Sequence, residues 1–232
     1  MLDWLYPNTC EFCGELSGAT ICPACLAGLE RVPRPICLYC GAPTYGLASG
    51  TDRCRCCRTF PRVYDFARAA LMRTPVTTEL VHAFKYARAS HLCVAFAPLL
   101  DDVWEQTPEL RAHRDWVLVP VPVERGRLMR RGYNQAEELA RALGKLRGLR
   151  MLQLLQRVGT EYASQTRLSA RERQLNARQA YRLIPGKTEA PRHLLLVDDV
   201  YTTGATARAC AAALRRLSGV RKIGVLTLLR AE

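Results

Sequence analysis

The stretch HLLLVDDVYTTGAT, residues 193–206, decides how this chain is read. Leu194 to Val197 form an uninterrupted apolar run, the pattern of a strand covered on both faces, as in parallel sheets flanked by helices. The run leads straight into two carboxylates, Asp198 and Asp199. Hydroxyl residues then surround Gly204, and ATARACAAALRRLSG follows with the composition of a helix ended by glycine. Strand, loop and helix in this order place the loop at the carboxyl end of a strand, where open α/β sheets bind ligands.

The loop is suited to an anion. Gly204 supplies freedom in φ and close approach, and the start of a helix presents N–H groups without intrahelical acceptors. With the hydroxyls of Thr202, Thr203 and Thr206 these groups make a phosphate site. The two acids would repel a phosphate, so they ask for hydroxyl donors or a divalent cation. A ribose 5-phosphate group, with its phosphate beside a vicinal diol, satisfies both halves. The chain has neither G-x-x-x-x-G-K-[ST] nor G-x-G-x-x-G, so nucleoside triphosphate and dinucleotide signatures are absent.

Outward from this motif, strands and helices alternate. VYDFARAALMRT (63–74) has partly alternating strand character. Thr74-Pro75 opens a helical run in which Leu80, Val81, Phe84 and Ala87 or Arg88 recur at helical spacing, with Lys85 off the apolar stripe. A second helix is expected over residues 91–105. WVLVPVPV (116–123) reads as a buried strand cut short by Pro120 and Pro122. The basic stretch ERGRLMRRGY follows, then the helix NQAEELARALGKL, with Asn134 as its cap and Glu137 as the capping partner. Residues 160–180 are polar and arginine-rich, either a loop or an exposed helix. KIGVLTLLR closes the chain as a final strand. The expected fold class is α/β with a parallel sheet.

The first quarter differs. Most of the 11 cysteines precede residue 58, in the pairs Cys10/Cys13, Cys22/Cys25, Cys37/Cys40 and Cys54/Cys57, each spaced C-x-x-C. Two such turns complete a tetrahedron of thiolates around Zn²⁺. Pairing in order gives one site from Cys10, Cys13, Cys22 and Cys25. A second comes from Cys37, Cys40, Cys54 and Cys57. Spacing leaves crossed pairing and an Fe–S cluster open, and an all-thiol set with no open position favours structural zinc. Cys56 reads as a bystander, and Cys93 and Cys210 as core thiols. CLAGLERVPRP between the sites reads as a short helix stopped by prolines, in a module held together by metal.

The formal charge is +13, and two four-thiolate zinc sites lower it to about +9. A basic surface of that size suits a polyanionic partner. MLDWLYPN lacks the basic and apolar regions of a signal peptide, and no apolar run has the length of a membrane span, so a cytoplasmic location is expected.

VDDVYTTGAT resembles the phosphoribosyl pyrophosphate (PRPP) signature of type I phosphoribosyltransferases. The resemblance implies that Asp198 and Asp199 form the catalytic pair on the ribose 2′- and 3′-hydroxyls. It implies that Tyr201, Thr202, Thr203, Gly204, Ala205 and Thr206 wrap the 5-phosphate. Four cysteine pairs, FKY (84–86), VPVP (119–122), RRGYNQA (130–136), QTRLSARER (165–173) with Asn176, and this motif together resemble the ComF family. These are competence proteins of natural transformation, and the ComFC type is nearest. The likeness runs in order over essentially the whole chain. It implies a double zinc-ribbon module at residues 1–60, with two structural Zn²⁺ ions, on a type I phosphoribosyltransferase-like parallel-sheet domain at 61–232. It further implies a role with internalised single-stranded DNA, beside a helicase and a DNA-processing protein.

Phosphoribosyl transfer also needs a pyrophosphate pocket with Mg²⁺ and cations, for which Lys85, Arg130 and Arg131 are the candidates, with Arg125 and Arg127 nearby. No pattern marks an acceptor site. Two function classes fit these residues: a single-stranded-DNA-handling protein with a PRPP or ribose 5-phosphate site, and an active phosphoribosyltransferase of nucleotide salvage or modification.

Overall fold

The computed structural model describes residues 9–45, 53–59, 61–86, 89–158, 180–186 and 191–231. Ala87, Arg88, the QTRLSARER stretch and Asn176 lie outside them. Four strands form one parallel sheet: β1 (Phe66–Met72), β2 (Trp116–Pro120), β5 (His193–Tyr201) and β6 (Lys222–Arg230), in the order β1-β6-β5-β2. A short antiparallel pair, β3 (Leu155–Arg157) with β4 (Tyr181–Leu183), stands apart from it. Because all four main strands run the same way, their carboxyl ends share one edge.

β1 departs from the expected alternation, since all seven of its residues are buried. Even Arg68 is buried. Its guanidinium donates to the carbonyls of Leu38 and Ala67 and pairs with Glu109 at 3.0 Å, which compensates the charge. β5 is longer than HLLLVDD and continues to Tyr201. β2 stops at Pro120, opposite Val197, so Asp198 and Asp199 lie beyond the end of their neighbour. The last bond between the two strands runs from the Val121 amide to the Val197 carbonyl at 3.0 Å.

Helices cover both faces. On one side lie α3 (Pro75–Tyr86), α4 (Leu92–Glu105), the short α5 (Pro108–Arg111) and α7 (Gln135–Arg147), packed on Leu118, Leu195, Val197, Leu226 and Leu228. Thr74 and Thr77 exchange side chain-to-amide hydrogen bonds at the start of α3, which fixes where that helix begins. On the other side α8 (Ala205–Leu214) and the β3–β4 pair cover Leu194, Leu196, Ile223 and Val225. ERGRLMRRGY, read only as a basic stretch, contains the helix α6 (Arg125–Arg131), closed by Gly132. Asn134 caps α7 through the Ala136 amide as expected. Glu137 instead pairs with Arg141, so the reciprocal half of the capping box does not form. α8 ends at Leu214, before the glycine expected to stop it.

The cysteine-rich segment wraps the β1 edge. It contains α1 (Pro23–Ala27) and α2 (Arg55–Arg58). Arg31 forms an antiparallel bridge to Leu71, Val32 N–H donates to Ala70 and Met72 N–H to Glu30, so the segment between the clusters occupies the open side of β1. This shields an edge strand that would otherwise present unpaired backbone groups. Cys10, Ile21 and Leu29 belong to the core on the α4 side, while Cys37, Tyr39, Cys40 and Cys57 belong to the core on the α8 side. No helix among the described residues is long and apolar enough to cross a membrane.

Candidate functional site

Three stretches distant in sequence meet at the carboxyl edge of the sheet. Lys85, the penultimate residue of α3, extends to Asp199 with Nζ 2.8 Å from Oδ2, and both side chains are largely buried. Next to Lys85, Tyr86 receives the Arg131 guanidinium over its ring at 4.9 Å, and Arg131 also donates to the Tyr86 hydroxyl. Arg131 donates to Gln135 Oε1 at 3.0 Å, and the Tyr133 hydroxyl donates to the Phe84 carbonyl. FKY, RRGYNQ and VDD are thereby one neighbourhood. Arg130 stays exposed on α6.

The two acids have different surroundings. Asp199 is neutralised by Lys85. Asp198 accepts a hydrogen bond from the Asp199 amide at 2.9 Å, and no described cation pairs with it directly. Burial, and then the neighbouring Asp199 charge, hold its carboxyl well above the usual range, with Lys85 opposing in part. Its other neighbours are the buried thiol of Cys210 and Tyr181, whose hydroxyl burial pushes up to about 12. A poorly compensated carboxyl at a strand end suits donors arriving from a ligand, and sugar hydroxyls are such donors.

Beyond β5 the chain turns at Thr202–Gly204 into α8. Gly204 has φ 71° and caps α8, and a side chain there would overlap the Tyr201 hydroxyl. Only glycine fits without displacement. Thr202 and Thr203 are exposed, Ala205 and Thr206 partly so, and Thr203 Oγ1 accepts from the Ala205 amide at 3.4 Å. Arg208 donates to the Thr203 carbonyl at 2.9 Å. Sequence reading did not mark Arg208. Its position one turn into α8, four residues after Gly204, is the signal that could have done so. Tyr201 lies differently from the threonines. Its ring is buried beneath the loop and its hydroxyl shares a hydrogen bond of 2.6 Å with Tyr64. Gly204→Ala should cost about 1–3 kcal/mol through the left-handed backbone and the clash with Tyr201. Thermal unfolding measures the cost, and ligand titration should show the loop's affinity lost with it.

The cysteines converge as paired in order. The sulfurs of Cys10, Cys13, Cys22 and Cys25 lie within 4.8 Å of one another, and so do those of Cys37, Cys40, Cys54 and Cys57. Crossed pairing is excluded by this geometry. Cys13 and Cys22 sulfurs are 3.8 Å apart, and those of Cys40 and Cys54 are 3.7 Å apart. A tetrahedron with Zn–S bonds of about 2.3 Å has edges of about 3.8 Å, so the donor sets fit Zn²⁺ in size as well as chemistry. Backbone amides aim at the sulfurs: Cys22 N–H at Cys10, and Cys54 N–H at Cys37. The Cys22 amide is the main cause that draws the Cys10 thiol down to about 6, while burial and then the neighbouring thiols push Cys25 up to about 12. Cys56 is exposed and outside both clusters, and Cys93 and Cys210 are buried, as expected of a bystander and two core thiols.

A separate cleft of about 260 Å³ lies between the cysteine-rich segment and α4, lined by Arg31, Arg34, Arg68, Asp102 and Gln106. Its arginines are engaged by Asp102, Gln106 and Glu109, and it sits beside β1 rather than at the carboxyl ends of β5 and β2.

Comparison with known proteins agrees with the two cysteine clusters. The double zinc ribbon domain family matches residues 1–58. The chain is 32% identical over 233 residues to the DNA utilization protein YhgH of Salmonella typhimurium, covering 97% of each chain. It is 26% identical over 215 residues to competence protein ComFC of Bacillus subtilis, covering 90% of this chain and 84% of that one. Competence protein F of Haemophilus influenzae is 41% identical over 116 residues, 49% of this chain and 50% of its own.

Proposed function

Because the chain belongs to the ComF family of competence proteins, we propose that it acts on DNA taken up by the cell and carries a site for a phosphoribosyl ligand. That ligand is PRPP or a related ribose 5-phosphate group. The observation that carries the ligand reading is the Lys85–Asp199 pair beside Asp198 and the Thr202–Thr206 loop. The loop and the α8 N-terminus take the 5-phosphate. Asp198 and Asp199 take the ribose hydroxyls. Lys85 and Arg131, with Arg130 at the rim, offer positive charge to a pyrophosphate, with Mg²⁺ as its usual companion.

Single-stranded DNA is the proposed macromolecular partner, with a helicase and a DNA-processing protein acting beside it in the cytoplasm. Support comes from the net charge and from α6, where Arg125, Arg127 and Arg130 are exposed next to Met129, with the half-exposed ring of Tyr86 nearby. Cations with an accessible ring are the ingredients of backbone neutralisation and base stacking. The logarithm of affinity for a short single strand should fall linearly with the logarithm of salt concentration. Arg127→Ala/Arg130→Ala should lower that slope by about 1.4, at about 0.7 per lost phosphate contact. Fluorescence anisotropy at several salt concentrations reads both values, and an unchanged slope removes α6 from the DNA surface. Turnover is tested by PRPP- and Mg²⁺-dependent release of pyrophosphate, the outcome that would favour the transferase reading.

A further inference from the structure

The second cysteine cluster lies directly under the candidate ligand loop, connected to it by buried contacts. Tyr39, inside the Cys37–Cys40 turn, stacks on Tyr64 with centroids 4.5 Å apart and rings within 3° of parallel. The Tyr64 hydroxyl shares its 2.6 Å hydrogen bond with Tyr201. Tyr201 in turn fills the space beneath Gly204 that a side chain would need. A parallel connection runs through Arg230 at the end of β6. Its guanidinium donates to the Cys40 carbonyl at 2.6 Å, lies 3.6 Å from the Cys40 sulfur, and sits over the Tyr201 ring at 5.0 Å. Tyr39, Tyr64, Tyr201 and Arg230 are all at least nine-tenths buried. Among the described residues the first cluster makes no such buried contacts with the loop. Its described contacts lead to the α4 side, through Cys10, Ile21 and Leu29 in the core and the Glu11–His91 pair.

We propose that the second cysteine cluster, through Tyr64 and Tyr201, sets the conformation of the Thr202–Thr206 loop and with it the loop's affinity for a phosphoribosyl ligand. Tyr201 is thereby a positioning residue. The cluster with its ion holds the Tyr39 turn, the stacked ring holds Tyr64, and the shared hydrogen bond fixes where Tyr201 supports Gly204. Coupling of this kind needs contiguous packed groups, and here every link is a buried contact. The affinity half rests on the phosphoribosyl reading of the loop. The conformational half does not.

The test uses the full chain and measures zinc content, thermal unfolding, hydrogen exchange of residues 201–208 and calorimetric titration of PRPP. Cys54→Ser should lose one zinc, speed exchange of the loop amides and weaken PRPP binding, each by roughly tenfold or more, within the usual range of coupling between sites. Cys13→Ser should also lose one zinc while leaving both readouts within about twofold of wild type. Tyr201→Phe should keep both zinc ions yet move exchange and affinity several-fold. The Tyr64→Phe/Tyr201→Phe pair should be no worse than either single change, because one bond is removed in each case. Equal loop exchange in Cys54→Ser and Cys13→Ser overturns the proposal. If Cys54→Ser does not fold, the tyrosine variants decide, and wild-type behaviour in them overturns it. Zinc-dependent exchange in a wild-type chain that fails to bind PRPP overturns the ligand reading and supports the conformational coupling.

Discussion

Asp198→Asn should raise the thermal stability of the ligand-free protein and at the same time weaken its affinity for PRPP. In the folded protein burial and the Asp199 charge hold the Asp198 carboxyl well above its ordinary range. A carboxyl raised in this way favours folding most at low pH. Its contribution is fully present below the unfolded value near 3.8 and is lost as pH rises through the higher folded value. At neutral pH the wild type therefore carries an acid that is better tolerated unfolded, and the neutral amide relieves it. A gain of about 1 kcal/mol corresponds to about 2–4 °C in Tm for a chain of this size. The difference in Tm between variant and wild type should shrink as pH falls toward 4. Each carboxylate bond to a sugar hydroxyl contributes about 1.5–3 kcal/mol, so affinity should fall roughly 10- to 100-fold. Stability gained where function is lost is the behaviour of an acid kept for a ligand. A variant that is less stable and binds normally would make Asp198 a structural residue.

Loss of the second zinc site should be the most damaging single change to the fold. Cys37 is 1% exposed and lies in the core shared with α8, together with Cys40 and Cys57. Cys37→Ser removes a ligand and leaves buried thiols without a metal to gather them. The expected loss exceeds about 4 kcal/mol, the size associated with losing a structural metal, and lowers Tm by roughly 10 °C or more. Cys13 is exposed, so a chelator should reach the first site sooner. Zinc release followed with a colorimetric reporter should be biphasic, one ion per phase, with the large drop in Tm accompanying the second. A single phase of one ion would contradict two independent four-thiolate sites. No zinc at all would contradict the metal reading.

Signals carried by local spacing were legible in the sequence. Four C-x-x-C turns give the cysteine clusters because a C-x-x-C turn lets two sulfurs reach one ion. An apolar run ending in two acids and a threonine–glycine loop gives β5, its carboxyl end and α8. Lys85 stood out as a cation off an apolar stripe, and it reaches Asp199. Contacts between residues far apart in the chain were not legible. Tyr64 and Tyr201 are 137 positions apart, and Cys40 and Arg230 are 190 apart. Each reads locally as a core aromatic or an end-of-strand arginine. The burial of Arg68 was hidden for the same reason, since Glu109 and the Leu38 carbonyl come from other parts of the chain. The β3–β4 pair was missed because its strands have three residues each, too few to show a period.

Titration of PRPP with Mg²⁺ into the zinc-loaded wild type and into Asp198→Asn/Asp199→Asn decides whether the carboxyl edge of the sheet is a phosphoribosyl site. The wild type should bind saturably, one to one. The variant should lose that binding while it stays folded, retains two zinc ions and still binds single-stranded DNA at low salt. A folded, zinc-loaded wild type that shows no heat of binding and no protection of residues 201–208 by PRPP would rule the phosphoribosyl site out.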